Sequence, residues 1–210
     1  MKYLFSILTL VVCLVAPLAA EEPAAPASVE ELPRVEIVTS KGSIVVEVYP
    51  DKAPKTVKAF LANVASGFYE GTIFHRVMRG FMIQGGGFGS DLNQRPTTVL
   101  LENEADNGLS NDRGTIAMAR RNEPHTASVQ FYINHVDNPA LNHTSKVDGR
   151  TWGYTVFGRV LEGMEVVDAI AAEPTQRKSY FANLPVDTVS IEKANWLNGP
   201  PPEVTRTTGD

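Results

Sequence analysis

The chain has 210 residues, of which 43% are apolar and 20% are charged, as in an ordinary globular protein with one core. Its formal net charge is −5 and no stretch is rich in Lys or Arg, so it lacks the basic surface that non-specific nucleic-acid binding requires. The 16 glycines and 14 prolines indicate many turns and short elements, which favours a β-rich fold over a helical bundle.

The first segment, residues 1–20, is typical of a secretory signal peptide. Lys2 precedes a long apolar stretch that ends in the small residues Ala19 and Ala20. We expect export with cleavage near Ala20 and no stable membrane insertion afterwards. Two alternatives stay open: an anchor formed by the uncleaved segment, and lipidation at Cys13.

Cys13 is the only cysteine, so cleavage would leave a mature chain without a thiol. Disulfides, thiolate catalysis and cysteine metal sites are then excluded. A domain without cysteine also suits an oxidising compartment, because it has no thiol that could form a wrong disulfide there.

The composition divides the remaining chain into three parts. Residues 21–33 are rich in Ala, Pro and Glu and are expected to form an extended linker. Residues 34–197 carry the patterned sequence of a single domain. Residues 198–210, with three prolines in their first half, are expected to form a flexible C-terminal tail.

The domain begins with a predicted hairpin. Two β-rich runs, Arg34–Ser40 and Ser43–Tyr49, are separated only by Lys41 and Gly42, which is the length and glycine content of a tight turn. The pattern predicts an antiparallel pair of strands.

Two helices follow from apolar spacing. Pro54 suits a first helical turn, and Val57, Phe60, Leu61 and Val64 recur at helical intervals before Gly67. A second helix is predicted over 162–170.

Further strands are expected over residues 72–77, 81–84, 114–119, 129–134, 154–160 and 186–193. Because the predicted strands are grouped rather than alternating with helices, the order of elements favours an antiparallel barrel or sandwich. We expect a mostly β fold: a closed eight-stranded antiparallel β-barrel with two capping α-helices.

The motifs of several enzyme classes are absent from the sequence. It contains no Gly-x-Ser-x-Gly, no phosphate-binding loop and no His-Glu-x-x-His. The histidines His75, His125, His135 and His143 do not have the spacing of a metal site, and no metal or other cofactor is expected.

One short region combines groups that seldom occur together. Phe74-His75-Arg76-Val77 and Phe81-Met82-Ile83-Gln84 place an arginine, an amide and large apolar side chains within eleven residues, and a glycine-rich run follows. Taken alone, an arginine on a strand is usually solvent-exposed or paired with a carboxylate. The glycine run is expected to be tight backbone beside a binding surface.

These segments resemble the signature of the cyclophilins, and the match extends along most of the chain. Later segments that fit are Gly114–Ala119, Gln130–Ile133 and Val156–Met164, so the similarity runs from about Val35 to Ala194. The short loops are similar to those of bacterial exported members, which implies a periplasmic location. The family is expected to act as a peptidyl-prolyl cis-trans isomerase on proline-containing polypeptides and to assist the folding of exported proteins.

The resemblance also implies which residues form the site. Arg76 would be catalytic, because its charged N–H groups can donate to the proline nitrogen as it becomes pyramidal during rotation. Gln84 would be catalytic by orienting Arg76. The substrate-binding residues implied are His75, Phe81, Met82, Ala119, Arg120, Gln130, Tyr132, Leu141 and Tyr154.

Three positions depart from the best-known eukaryotic pattern. Ala140 stands where a tryptophan is usual, Tyr154 where a histidine is usual, and Tyr132 where a phenylalanine is usual. Loss of the indole predicts weak cyclosporin binding. We expect a monomer. The alternative function is a peptide-binding module or holdase chaperone of the same fold, without relevant turnover.

Overall fold

The protein is represented by a computed structural model that describes residues 31–97 and 99–198. The predicted signal peptide, most of the predicted linker and nearly all of the predicted tail lie outside these residues. Two α-helices, two short 3₁₀ helices and ten strands occur in the described ranges. The helices are α1 (Pro54–Ala65) and α2 (Met164–Ala171), with 3₁₀ turns at Ala105–Asn107 and Pro139–Leu141. The strands are β1 (Arg34–Thr39), β2 (Gly42–Val48), β3 (Thr72–Met78), β4 (Met82–Gly89), β5 (Thr115–Met118), β6 (Phe131–Asn134), β7 (Val156–Glu162), β8 (Thr175–Lys178), β9 (Phe181–Pro185) and β10 (Ser190–Trp196).

Eight of the strands close into a barrel in the order β1-β10-β3-β4-β6-β5-β7-β2. Every neighbouring pair in this order is antiparallel. Helix α1 packs near β10, and α2 packs near β2, β3 and β4. The predicted closed eight-stranded antiparallel barrel with two helices is confirmed.

The first hairpin forms as expected, with its turn one residue earlier. Thr39 pairs with Gly42 across the turn, and the Thr39 hydroxyl donates to the Gly42 carbonyl oxygen at 2.7 Å. Gly42 has a φ of +127°, a backbone conformation that a side chain would strain.

Helix α1 supplies much of the barrel core. Its residues Val57, Phe60, Leu61 and Val64 are buried, as their spacing predicts. The Phe60 ring lies 5.5 Å from Tyr69, 5.9 Å from Phe131 and 5.1 Å from Phe157, measured between ring centroids. Burying each such aromatic side chain contributes about 1.5–3 kcal/mol. The barrel interior is therefore filled with side chains, and any binding site must lie on its outer face.

The first turn of α1 is capped from a distant part of the chain. Its N-cap residue, Ala53, has no side chain that could cap the helix. The carboxylate of Glu104 instead accepts hydrogen bonds from the backbone N–H groups of Lys55 at 3.0 Å and Thr56 at 2.9 Å. A negative charge here also interacts favourably with the helix dipole.

Strands β8 and β9 were not predicted. They form a separate two-stranded sheet. All four residues of β8 are exposed, so the strand has no alternation that a sequence pattern could reveal. The last barrel strand also begins later than expected, at Ser190 rather than Val186, because Phe181–Pro185 forms β9 just before it.

Candidate active site

The alternation of strand side chains separates a core face from an outer face. On β6, Phe131 and Ile133 belong to the barrel core, whereas Tyr132 belongs to a second apolar cluster. On β4, Ile83 belongs to the core and Met82 to the second cluster. Because successive strand residues point to opposite faces, Gln84 shares the face of Met82.

Arg76 and Gln84 are brought together by strand register. They are direct partners in the antiparallel pairing of β3 with β4. Arg76 Nη1 donates to Gln84 Oε1 at 3.2 Å, and Gln84 Nε2 donates to Gln130 Oε1 at 3.0 Å. The Arg76 guanidinium carbon lies 5.8 Å from the centroid of the Phe81 ring. This chain of amides holds one edge of the guanidinium, and no other residue that the structure describes accepts a hydrogen bond from its remaining N–H groups.

Beside this chain lies a small cavity that we call the slot. Its volume is about 150 Å³, and nine of the eleven predicted site residues line it: Arg76, Phe81, Met82, Gln84, Ala119, Arg120, Tyr132, Leu141 and Tyr154. The slot is thus assembled from β3, β4 and β6, the segment after β5, the second 3₁₀ turn and the loop before β7.

Gln130, the tenth predicted residue, lies next to the slot rather than in its wall. It lines an adjoining polar cavity of about 160 Å³, which we call the annex. A Cβ atom built on Gly87 would come within 2.3 Å of the Gln130 side chain, so any larger residue here would force Gln130 to shift. The prediction that the glycine run is tight backbone beside a binding surface agrees with this contact.

His75, the eleventh, is not brought to the slot. It precedes Arg76 on β3 where the pairing with β4 shifts register, and its ring packs outside the barrel core, 4.6 Å from Phe88 and 5.8 Å from Phe181. Burial lowers the pKa of His75 to about 4, so the ring is neutral near pH 7. The ring packs outside the slot rather than in its wall, and the role of His75 in substrate binding stays a prediction.

The hydroxyl group of Tyr132 is anchored by residues that were not predicted. It donates to Asn111 Oδ1 at 2.6 Å, and Asn134 Nδ2 donates to the same oxygen at 3.3 Å. Burial raises the pKa of Tyr132 well above its ordinary value, so the hydroxyl remains a donor. No sequence motif marks Asn111. The only hint was Tyr132 itself, whose buried hydroxyl requires an acceptor.

Arg120 uses its side chain to fasten the loops around the slot. Its guanidinium lies 4.3 Å from the centroid of the Tyr154 ring. It donates to the backbone oxygens of Gly153 at 2.9 Å, Arg121 at 2.9 Å and Asn122 at 3.0 Å, and also to that of Gly149. The resemblance implied only a role for Arg120 in substrate binding, so this fastening of the loops is a feature that the structure adds.

Two further properties concern the described part of the chain. Within residues 31–97 and 99–198, no three His, Cys, Asp or Glu side chains are grouped so that they could hold a metal ion. None of the helices in those ranges has the length and apolar character needed to cross a bilayer.

In a comparison with known proteins, the whole barrel matches one protein family. Residues 34–196 match the family model for cyclophilin type peptidyl-prolyl cis-trans isomerase/CLD. The chain is 56% identical over 163 residues to the peptidyl-prolyl cis-trans isomerase cyp18 of Streptomyces antibioticus, covering 78% of this chain and 98% of the relative. It is 50% identical over 154 residues to peptidyl-prolyl cis-trans isomerase B of Escherichia coli K12, covering 73% and 93%.

Solved structures show the same likeness. The crystal structure of a cyclophilin type peptidyl-prolyl cis-trans isomerase from Cryptosporidium parvum matches with a TM-score of 0.65 and 29% identity, covering 80% of this chain and 99% of that one. A second structure of that protein, obtained in the presence of the dipeptide Ala-Pro, matches with a TM-score of 0.64.

Proposed function

This chain belongs to the cyclophilin-type peptidyl-prolyl cis-trans isomerases, and we propose on that basis that Arg76 drives its catalysis on exported polypeptides. The chain is a peptidyl-prolyl cis-trans isomerase, and the substrates of this family are proline-containing peptides. The proposal concerns the residues that do the chemistry and the polypeptides on which they act.

The reaction requires no covalent intermediate. Rotation about an X–Pro bond breaks amide resonance, a barrier of about 18–20 kcal/mol, and takes tens to hundreds of seconds unaided. In the twisted state the proline nitrogen is pyramidal and carries a lone pair. A donor aimed at that nitrogen stabilises the twisted state more than either planar isomer, which is the condition for catalysis.

The single observation that supports Arg76 as this donor is that its guanidinium lines the slot without a carboxylate partner among the described residues. The side chain is exposed at the slot wall, is oriented by Gln84, and forms no ion pair with any residue that the structure describes. An arginine on a strand is usually solvent-exposed or paired with a carboxylate. This one is exposed, but it lines a cavity and its guanidinium is held by an amide.

The apolar walls of the slot complete the proposed mechanism. Phe81, Met82, Tyr132 and Leu141 would surround the proline ring and exclude water from it. Exclusion of water lowers the local dielectric constant, which strengthens the hydrogen bond from Arg76 to the proline nitrogen. Gln130 in the annex, together with Ala119 and Arg120 between the two cavities, would hold the peptide on either side.

We also propose that the enzyme is exported to the periplasm and assists folding there as a monomer. The support is the signal-like segment 1–20 and the absence of cysteine after Cys13. Retention through an uncleaved segment, or through a lipid on Cys13, would change the anchoring of the enzyme but leave the proposed chemistry the same.

The decisive experiment removes the donor. Arg76→Ala should lower kcat/KM for a short Ala-Pro peptide about 100-fold or more, the size of effect seen when one preorganised donor is deleted. Arg76→Lys should recover little of it, because an ammonium group does not reproduce the guanidinium fork. Arg79→Ala, which removes a nearby exposed arginine outside the slot, is the matched control and should change the rate less than about twofold. Exchange spectroscopy measures each rate, and wild-type turnover by Arg76→Ala would refute the mechanism.

A further inference from the structure

A second, larger groove runs along the exposed side of α1. Its volume is about 560 Å³ and its walls are mainly apolar. We call it the α1 groove. Its apolar walls are formed by Ala59, Ala62, Phe68, Val99, Leu101 and Val129, and its polar lining includes Lys55, Lys58, Thr97 and Ser128. None of these residues belongs to the slot.

The α1 groove combines a firm floor with accessible walls. Leu101 and Val129 are buried at 6% exposure each, whereas Val99 is 60% exposed. The floor is tied to the barrel, because the Tyr69 hydroxyl donates to the Val129 carbonyl oxygen at 3.0 Å. A contiguous apolar surface open to solvent is unfavourable unless it binds something, so such patches mark interaction sites.

The α1 groove is continuous with the slot through the annex. The slot and the annex share Gln84, Ala119 and Arg120 in their walls. The annex and the α1 groove share Thr97 and Ser128. The three cavities therefore adjoin one another, and a polypeptide with its proline in the slot can reach the groove by way of the annex.

We propose that the α1 groove binds an apolar side chain of the same polypeptide whose proline occupies the slot. This inference rests on the proposed function, because it takes the slot as the proline site. The occupant is an unfolded client in extended conformation. Extended chain advances about 3.3 Å per residue, so the position that reaches the groove is found by scanning an apolar residue along the chain on both sides of the proline.

The groove would give the enzyme a preference for unfolded chains over short or native ones. Unfolded chains expose apolar side chains near their prolines, whereas native proteins bury them. Once the proline is bound, the second contact is intramolecular and adds affinity without changing the chemistry in the slot. The groove should therefore lower KM for long apolar substrates and leave kcat unchanged.

The test compares peptide substrates that differ only in length and in whether they carry an apolar residue away from the proline. One is a short peptide with a single Ala-Pro bond, which does not extend beyond the slot. Two sets of longer peptides carry the same bond and either Leu or Ser at positions scanned along the chain on each side of the proline. In the wild-type full chain, the best Leu peptide should exceed its Ser partner about tenfold in kcat/KM, through KM.

Two substitutions should remove this preference. Ala62→Arg places a charged side chain in the groove, and Val99→Ser removes an exposed apolar wall with little risk to folding. Both should bring the Leu peptide to the rate of its Ser partner. Ala65→Arg, at an exposed position on the same helix outside the groove, is the matched control and should keep the tenfold preference.

The outcomes separate the inference from the proposed function. Equal rates for Leu and Ser peptides in the wild type would overturn the inference, as expected if residues 21–30 or a second copy of the chain filled the groove instead. A preference that survives Ala62→Arg and Val99→Ser would also overturn it. Failure of the proposed function would appear separately, as a short-peptide rate that does not depend on Arg76.

Discussion

Tyr132 shows how a single polar atom is accommodated in an otherwise apolar wall. Its ring faces the slot, while its hydroxyl donates to the buried side chain of Asn111. A buried hydroxyl without a partner would cost about 1–3 kcal/mol, so the tyrosine and the asparagine depend on each other. The ring therefore forms part of the slot wall, and the hydrogen bond of the hydroxyl stabilises the fold.

Tyr132→Phe should therefore separate stability from activity. We expect the free energy of unfolding to fall by about 1 kcal/mol, since Asn111 keeps its weaker bond from Asn134. That change would lower Tm by about 2–4 °C for a chain of this size. Isomerase activity should stay within about twofold of the wild type, because the apolar ring is retained.

Denaturant unfolding and exchange spectroscopy on the same samples measure both quantities. A double-mutant cycle with Asn111→Ala isolates the pairwise energy. Unchanged stability in Tyr132→Phe would show that the hydroxyl bond has no net value.

At the scale of the elements, the start of α1 depends on a residue far from it in sequence. Glu104 satisfies two of the N–H groups that every helix leaves unpaired in its first turn. It follows Asn103, whose Nδ2 donates to the Gly153 carbonyl oxygen at 3.1 Å in the loop that precedes β7. The cap therefore links α1 to the loops around the slot.

Glu104→Ala should lower the free energy of unfolding by about 1–2 kcal/mol, the usual value of a helix cap. Glu102→Ala is the matched control, because the one contact that Glu102 makes through its side chain within residues 31–97 and 99–198 is an exposed ion pair with the Lys55 side chain. Such pairs contribute about 0–1 kcal/mol. Equal losses in the two variants, measured by chemical denaturation, would argue against a capping role.

The cap also illustrates what the sequence could and could not reveal. The spacing of Val57, Phe60, Leu61 and Val64 predicted α1, because the helical period is local. The contact from Glu104 depends on closure of the whole chain, and no local pattern records it.

The same distinction applies to the site. Arg76, Gln84 and the apolar slot residues were found because their motifs are short and ordered along the chain. Asn111 was missed because its role exists only after β6 brings Tyr132 against it. His75 adjoins Arg76 in sequence, but its ring packs against Phe88 instead of lining the slot, next to a register shift in β3 that no local pattern records.

At the scale of the whole molecule, His75 makes the stability of the barrel depend on pH. Its pKa is lowered from the usual 6.5 to about 4 by burial. Between these two values the unfolded chain binds a proton at this residue and the folded chain does not. The native state is therefore fully favoured above about pH 6.5 and loses stability as the pH falls towards 4.

We expect protonation linked to this single residue to lower the free energy of unfolding by about 3 kcal/mol as the pH falls from 6.5 to about 4. In His75→Gln the stability curve should lack this loss and retain only the slope that comes from other groups. Denaturation at a series of pH values measures the difference between the two curves. An NMR titration of the wild-type ring gives an independent check, and a midpoint near 6.5 would contradict the prediction.

Closure of the barrel also bears on the proposed role in folding, in which the enzyme would work among unfolded polypeptides. Unfolded chains tend to aggregate by adding strands to exposed sheet edges, and a closed barrel offers no such edge. The small sheet of β8 and β9 lies outside this closure, and β8 carries the polar and basic sequence Thr-Gln-Arg-Lys, which discourages strand addition. Clients would then be contacted through side chains in cavities rather than through backbone pairing, so that they can leave after each turnover.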